Sequence, residues 1–263
     1  KIFKVYKFSN MSNLDLFDPN NYEFNSDSKI GIYLIHGFSS TTSELKQIAN
    51  FLSDKGYHIV LNNLPGHGTT VDDCNNTKFQ EWLDFSKVEF AKLCSKSDKV
   101  FIIGHSMGGV VALHLATMFP VTGLILGGVV LKFKLFYFTN YINRFLCKII
   151  KHREKKLTFE KSIRDSITFY GYKAYPLIAL EQFRKMNLFV KKDLHKVNSP
   201  TLIIHSKNDQ VSIKENVDII KESISSQNID FFEMIHAPHS LFRINEESDL
   251  LFKACSDFIK KNI

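Results

Sequence analysis

Residues 104 to 108 read Gly-His-Ser-Met-Gly, a small hydroxyl held between two glycines. The strand-like run "VFII" precedes them and the helix-like "GGVVALHLATMF" overlaps and follows them. A serine lifted above a sheet edge on so sharp a strand-to-helix turn needs glycine on both sides, because side chains there would strike the strand and the helix. Ser106 would then stand at a helix N-terminus, where the peptide dipoles favour developing negative charge. The chemistry this points to is nucleophilic attack by the Ser106 hydroxyl. A serine hydroxyl is a weak nucleophile until a base takes its proton, so a histidine and an orienting acid are required.

For a nucleophile on this kind of turn, the partners follow in the order Ser, Asp, His. The strand-like "TLIIH" runs into "SKNDQVSI" and seats Asp209 in a loop just past a strand's carboxyl end, a place an Asx-turn residue would also occupy. Asp218 and Asp230 fall inside a predicted helix and at a strand start, which are poorer seats. The last strand, "IDFFEM", leads into "IHAPHSLF" and offers two histidines. His239 is the expected base, lying several residues past the strand and after a proline; His236 is the second candidate. A tetrahedral intermediate also needs donors for its oxyanion, each worth roughly 3 to 4 kcal/mol. The N–H of Met107 is one candidate, and Phe38, just after His36-Gly37 at the end of an early strand, offers the other. His58, His114 and His152 lie in strand or helix patterns and read as core or surface residues, and His105 as packing beside the nucleophile. No histidine pair has metal-ligand spacing, so neither metal nor cofactor is expected.

These residues have to be positioned by an alternating framework. Strands are predicted at 30–35, 57–62, 100–103, 123–130, 201–205 and 229–234, with helices at 42–54, 79–97, 107–118, 214–225 and 246–261. Strand-then-helix alternation is the signature of a parallel sheet covered on both faces. An N-terminal edge hairpin from "IFKVYKF" is a further expectation. From Leu131 to about His195 the rhythm breaks, and aromatics crowd a stretch whose three- and four-residue gaps suit amphipathic helices. This reads as a helical insertion over the carboxyl ends of the strands, where open α/β sheets bind ligands. Its Phe133, Phe136, Tyr137 and Tyr141 are candidate substrate contacts. The core is therefore expected in 1–130 and 196–263, with a helical cap or lid in 131–195.

The 263 residues carry 34 Lys+Arg and 27 Asp+Glu, a net charge of +7, with the cations spread along the chain. That distribution argues against a nucleic-acid-binding arm. "LKFKLFYFTNYINRFLCKIIKHR", at 131–153, does resemble an amphipathic basic stretch that would suit a membrane surface, although a lid with an aromatic inner face and a charged outer face is the more ordinary reading. The cysteines at 74, 94, 147 and 255 lie far apart without a Cys-x-x-Cys pair, which argues against zinc and against a disulfide scaffold. No signal-peptide pattern is visible in "KIFKVYKFSNMSNLD", and the longest apolar run, 121–131, is too short to span a bilayer. A cytoplasmic monomer or homodimer without stable membrane insertion is the expectation.

"LIHGF" at 34–38, "LPGHG" at 64–68, "GHSMGG" at 104–109, "HSKNDQV" at 205–211 and "HAPHS" at 236–240 together resemble the α/β-hydrolase superfamily, and more narrowly bacterial carboxylesterases and monoacylglycerol lipase-like enzymes. The resemblance implies a mostly parallel twisted sheet with helices on both faces and a lid. It also implies Ser106, Asp209 and His239 as a catalytic triad and the Phe38 and Met107 N–H groups as oxyanion donors. The expected activity is hydrolysis of short- to medium-chain or monoacylglycerol-type esters through an acyl-enzyme. An amidase, iminopeptidase or thioesterase would use the same residues, and a non-catalytic receptor for apolar ligands would use the same fold. Two positions depart from the family's usual pattern: Ser206 replaces a glycine before the acid, and Pro238 replaces a small residue before the histidine.

Overall fold

The computed structural model describes residues 17–155 and 171–263. Seven strands form one sheet: β1 (Tyr22–Phe24), β2 (Ile30–Ile35), β3 (His58–Leu61), β4 (Lys99–His105), β5 (Gly123–Gly127), β8 (Thr201–Ser206) and β9 (Ile229–Met234). Their spatial order is β1-β3-β2-β4-β5-β8-β9. All neighbours are parallel except β1, which pairs antiparallel with β3 at the edge. The N-terminal hairpin expected from "IFKVYKF" lies outside the described residues.

Strand alternation divides the core into two layers. Tyr33 and Ile35 of β2, Ile102 of β4 and Ile203 of β8 pack on one face, while Ile32, Leu34, Ile103 and Ile204 pack on the other. Side chains along a strand point to opposite faces, so a strand buried on both sides must be apolar throughout, as these are. Helices α3 (Phe79–Lys96) and α4 (Met107–Ala116) cover the first face, α4 with every residue buried. Helices α1 (Lys46–Ser53) and α8 (Ser248–Lys261) cover the second. A short helix not anticipated from the sequence, α2 (Val71–Asn76), begins where the Thr70 hydroxyl accepts the Asp73 N–H at 3.1 Å. No helix among the described residues is long and apolar enough to cross a membrane.

The fourth predicted strand, 123–130, ends early. β5 stops at Gly127 because Gly128 turns out of the sheet at φ +52°. Between 131 and 195 the described residues include α5 (Asn143–Leu146), a small antiparallel hairpin of β6 (His152–Glu154) with β7 (Ala174–Pro176), and α6 (Leu177–Val190). A wholly helical insertion is thus corrected by the β6–β7 pair, a strand pairing too short to show a period in sequence. Phe159, Phe169 and Tyr170, counted among the crowded aromatics, lie outside the described residues. Ala179, Phe183 and Met186 of α6 join the core layer above α4. Helix α7 (Glu215–Ser223) buries Val217 and Ile220 in the same layer.

Packing at the β4–α4 turn leaves no room for a side chain at either glycine. A Cβ on Gly108 would lie 2.1 Å from the Ile35 carbonyl oxygen, and one on Gly104 would lie 2.6 Å from the Gly108 carbonyl oxygen. Neither neighbour is a flexible side chain, so the backbone itself would have to move. Gly108→Ala is expected to cost about 3 kcal/mol, lowering the melting temperature by roughly 6 to 12 °C for a chain of this size; differential scanning calorimetry checks this.

Candidate active site

Ser106 sits between β4 and α4 at φ 54°, ψ −115°, a left-handed conformation that residues with a Cβ rarely adopt. Its own N–H donates to the Gly127 carbonyl on β5 at 2.8 Å, so the strained residue is tied to the neighbouring strand. From there the chain brings together three residues widely separated in sequence. His239 Nε2 lies 3.0 Å from Ser106 Oγ, and His239 Nδ1 lies 2.8 Å from Asp209 Oδ2. A carboxylate only accepts, so Nδ1 carries the imidazole proton and Nε2 offers its lone pair to the Ser106 hydroxyl. Asp209 Oδ1 accepts the N–H groups of Val211 and Ser212 at 2.8 and 2.9 Å. Burial pushes the Asp209 carboxyl up, but the hydrogen bond from His239 and these two N–H groups outweigh it, leaving the group below its ordinary value. It is therefore ionised at neutral pH.

The loops that carry the acid and the histidine are bound to each other. Ser206, the residue that departs from the family's glycine, donates its hydroxyl to the Ala237 carbonyl at 2.5 Å, and Asn208 Nδ2 donates to the His236 carbonyl at 2.9 Å. The Glu247 carboxylate accepts the N–H groups of Ile235, His236 and Ala237 at 2.8 to 3.0 Å. These bonds hold the segment before Pro238, where His236 is exposed, and the histidine hydrogen-bonded to Ser106 is His239.

Phe38 follows β2 and lines the cavity above Ser106; Met107 opens α4, so its N–H belongs to the first turn, which has no intrahelical acceptor. Two neutral histidines brace the Phe38 loop. His36 donates from Nδ1 to the Gly37 carbonyl at 2.8 Å and accepts the Leu64 N–H at Nε2 at 3.0 Å. His67 accepts the Ser39 N–H at 3.2 Å. Burial lowers both imidazoles, His67 to about 3, which keeps them neutral and able to accept.

A buried ion pair behind Ser106 was not legible in the sequence. Glu44 Oε2 accepts the Gly37 N–H at 2.6 Å and lies 3.1 Å from His105 Nδ1. The His105 contact works chiefly as charge against charge. His105 Nε2 donates to the His239 carbonyl at 2.7 Å. One carboxylate thus links the loop after β2, the turn bearing Ser106 and the loop bearing His239. Burial disfavours the charge on Glu44, yet His105 and the Gly37 N–H bring its pKa down to about 2. Burial also opposes charge on His105, and Glu44 overcomes it, holding the imidazolium above the ordinary 6.5. His105 does pack beside the serine, as its place in the motif suggested, with the added role of a buried cation.

The cavity measures about 690 Å³, within the usual range for small-molecule sites. Val130, Phe133, Leu180 and Phe183 supply apolar wall, and Glu44, Lys155 and Arg243 are among the charged residues that line it. Burial lowers Lys155 to about 8 and Arg243 to about 10, with Glu44 opposing the shift in each case. Of the four aromatics expected to contact substrate, Phe133 lines this cavity. Phe136, Tyr137 and Tyr141 do not, and are instead 41%, 77% and 56% exposed. Helical periodicity placed them on a face without saying which face turns inward. No cluster of His, Cys, Asp and Glu suited to a metal occurs among the described residues.

Glu44 is held below its ordinary 4.5, so its contribution to stability is complete above that pH and is lost as pH falls toward 2. His105 is held above 6.5, so its contribution is complete below 6.5 and is lost as pH rises through its folded value. Glu44→Gln is expected to cost about 3 kcal/mol near pH 6 and to flatten both limbs, read from urea unfolding across the pH range.

The sequence profile described as serine aminopeptidase, S33, matches residues 26–248. A thermostable monoacylglycerol lipase of Bacillus sp. strain H-257 is 24% identical over 250 residues, spanning 89% of this chain and 91% of that protein. A carboxylesterase of Bacillus subtilis is 21% identical over 254 residues, spanning 92% and 97%. A solved structure of a metagenome-derived lipolytic enzyme superposes with a TM-score of 0.82 at 21% identity, covering 92% of this chain and 98% of that one.

Proposed function

The chain belongs to the serine aminopeptidase S33 family of α/β-hydrolases, and on that premise we propose that it hydrolyses carboxylic esters through an acyl-enzyme formed on Ser106. The observation that carries this reading is the unbroken line Asp209–His239–Ser106, at 2.8 and 3.0 Å, opening onto a cavity walled mainly by apolar side chains. The named relatives, a monoacylglycerol lipase and a carboxylesterase, support the same bond type.

In this reading the Ser106 oxygen attacks the ester carbonyl carbon while His239 Nε2 takes its proton. The negative charge moves to the carbonyl oxygen, which the Phe38 and Met107 N–H groups receive at a helix N-terminus. Collapse expels the alcohol, protonated by His239, and leaves the acyl group on Ser106. Water, deprotonated by His239, attacks the acyl-enzyme and releases the acid. Asp209 stays ionised throughout and stabilises the imidazolium that forms twice in the cycle. The acyl chain lies against Val130, Phe133, Leu180 and Phe183, so residues 131–195 act as a cap on a core built from 1–130 and 196–263. Short- to medium-chain esters and monoacylglycerols match such a pocket.

Cleavage at a free amino terminus is less well supported. It would call for an acidic group to hold the substrate ammonium, and the cavity sets Lys134, Arg153, Lys155 and Arg243 against Glu44 and Glu154. Glu44 is moreover engaged by the Gly37 N–H and His105.

A p-nitrophenyl ester series from acetate to palmitate tests the proposal. Ser106→Ala and His239→Ala are expected to lose at least about 10⁴-fold in kcat, whereas His236→Ala stays near wild type. Inertness of the wild type on every ester, or full turnover by Ser106→Ala, would overturn it. A burst of p-nitrophenol equal to the enzyme concentration is the expected sign of the acyl-enzyme.

A further inference from the structure

The cap segment turns a second face away from the cavity, and that face is unusual for a protein surface. Among the described residues nineteen large hydrophobic side chains are exposed, and eight of them fall between 135 and 150. Leu135, Tyr137, Phe145 and Ile149 are the most open, at 68, 77, 69 and 83%. They include a continuous aromatic cluster: the Phe136, Tyr137 and Tyr141 rings lie 5.7 to 6.3 Å apart, centroid to centroid. Contiguous exposed apolar surface of this kind marks an interaction site.

The charge around it has one sign. From Leu131 to Arg153 the sequence holds Lys132, Lys134, Arg144, Lys148, Lys151 and Arg153 and no acid; the first carboxylate after Asp98 is Glu154. Lys148 Nζ lies 5.7 Å from the centre of the Phe145 ring, so cation and aromatic share one surface. The same segment forms the wall of the cavity. Phe133, Phe138 and Thr139 line it, and Leu135 both lines it and stands 68% exposed, which puts it at the rim.

We propose that this outer face, centred on Phe136, Tyr137, Tyr141 and Phe145 and ringed by Arg144 and Lys148, docks on an anionic phospholipid surface and sets the rim of the cavity against it. Aromatic and aliphatic side chains enter the boundary between headgroups and acyl chains while lysine and arginine heads stay at the phosphates. A second copy of this chain fits poorly, since an isologous contact through this face would bring Arg144 and Lys148 of both copies together, and residues 131–153 supply no carboxylate to separate them. Nucleic acid would leave Leu135 and Ile149 without partners, because its recognition of aromatics runs through base stacking. Lipid is the partner that satisfies both the aliphatic groups and the charge. Docking is separate from the acyl-enzyme reading: it needs only the surface, although the position of Leu135 would let an ester pass from lipid into the cavity.

Vesicle flotation tests the proposal with the full chain. Vesicles of phosphatidylcholine alone are compared with vesicles containing about one-third phosphatidylglycerol, at about 0.1 M and about 1 M salt. The wild type is expected to float with the anionic vesicles, weakly with the neutral ones, and less at high salt. Phe136→Ser/Tyr137→Ser/Tyr141→Ser and Arg144→Glu/Lys148→Glu are each expected to lower anionic-vesicle affinity at least about tenfold, with turnover of the water-soluble p-nitrophenyl acetate within about twofold of wild type. Because the two variants change different exposed residues, a folding defect in one leaves the other as the test. Failure of the wild type to float with anionic vesicles overturns the proposal, as does unchanged flotation of both variants. Sedimentation showing self-association abolished by the aromatic variant, or tighter binding to single-stranded DNA than to vesicles, also overturns it. Failure of the ester-hydrolysis reading would appear separately, as a wild type that floats but turns over no ester.

Discussion

Backbone packed directly on backbone at the β4–α4 turn governs the geometry around Ser106. Helix α4 rests so closely on the end of β2 that position 108 has no space for a side chain beside the Ile35 carbonyl. The next residues of β2's chain, His36 to Phe38, are therefore carried alongside the serine. On the opposite side Ser106 is bonded to Gly127 of β5. The chain turns away one residue later, at Gly128, where a side chain would crowd Asp209 Oδ2 and the His239 ring, at 3.2 and 3.4 Å. Both strands flanking β4 thus bend around one strained residue, and the strain, of order 1–3 kcal/mol, is held by contacts on every side.

The second constraint is electrostatic. A lone carboxylate as buried as Glu44 would be protonated or would destabilise the fold. Here it is balanced by His105 and by the Gly37 N–H. Such a pair contributes little net stability compared with apolar packing, but removing one member leaves an unpaired buried charge. Its consequence is geometric: the His105 ring that faces Glu44 also donates to the His239 carbonyl, so the buried charge is tied to the loop that carries the imidazole. Neutral His36 and His67 do the complementary work of tying the Phe38 loop to residues 64–65 without adding charge.

Residues 133–141 turn aromatics in two directions. Phe133 and Phe138 line the cavity, whereas Phe136, Tyr137 and Tyr141 are exposed outside it. An apolar ligand needs the first face. The second is stable only if its exposure is offset by a partner or by the surrounding charge that keeps the chain dispersed.

Local sequence determined a good deal of this protein. Runs of β-branched residues reported the buried strands because a strand covered on both faces admits few polar side chains, and Gly104-His105-Ser106-Met107-Gly108 reported its own sharp turn because only glycine fits there. The order Ser106, Asp209, His239 could be read from the loops that follow successive strands. Its place past the strand and after Pro238 favoured His239 over His236; the structure sets His239 beside Ser106 on a loop whose main chain at 235–237 is held by Ser206, Asn208 and Glu247. Tertiary structure alone decided that Glu44 faces His105, 61 positions later in the chain, and which aromatics of residues 131–153 turn inward. Hydrophobic period tells which residues share a face, but the partner of a buried charge and the direction of a face depend on what packs against it from distant parts of the chain.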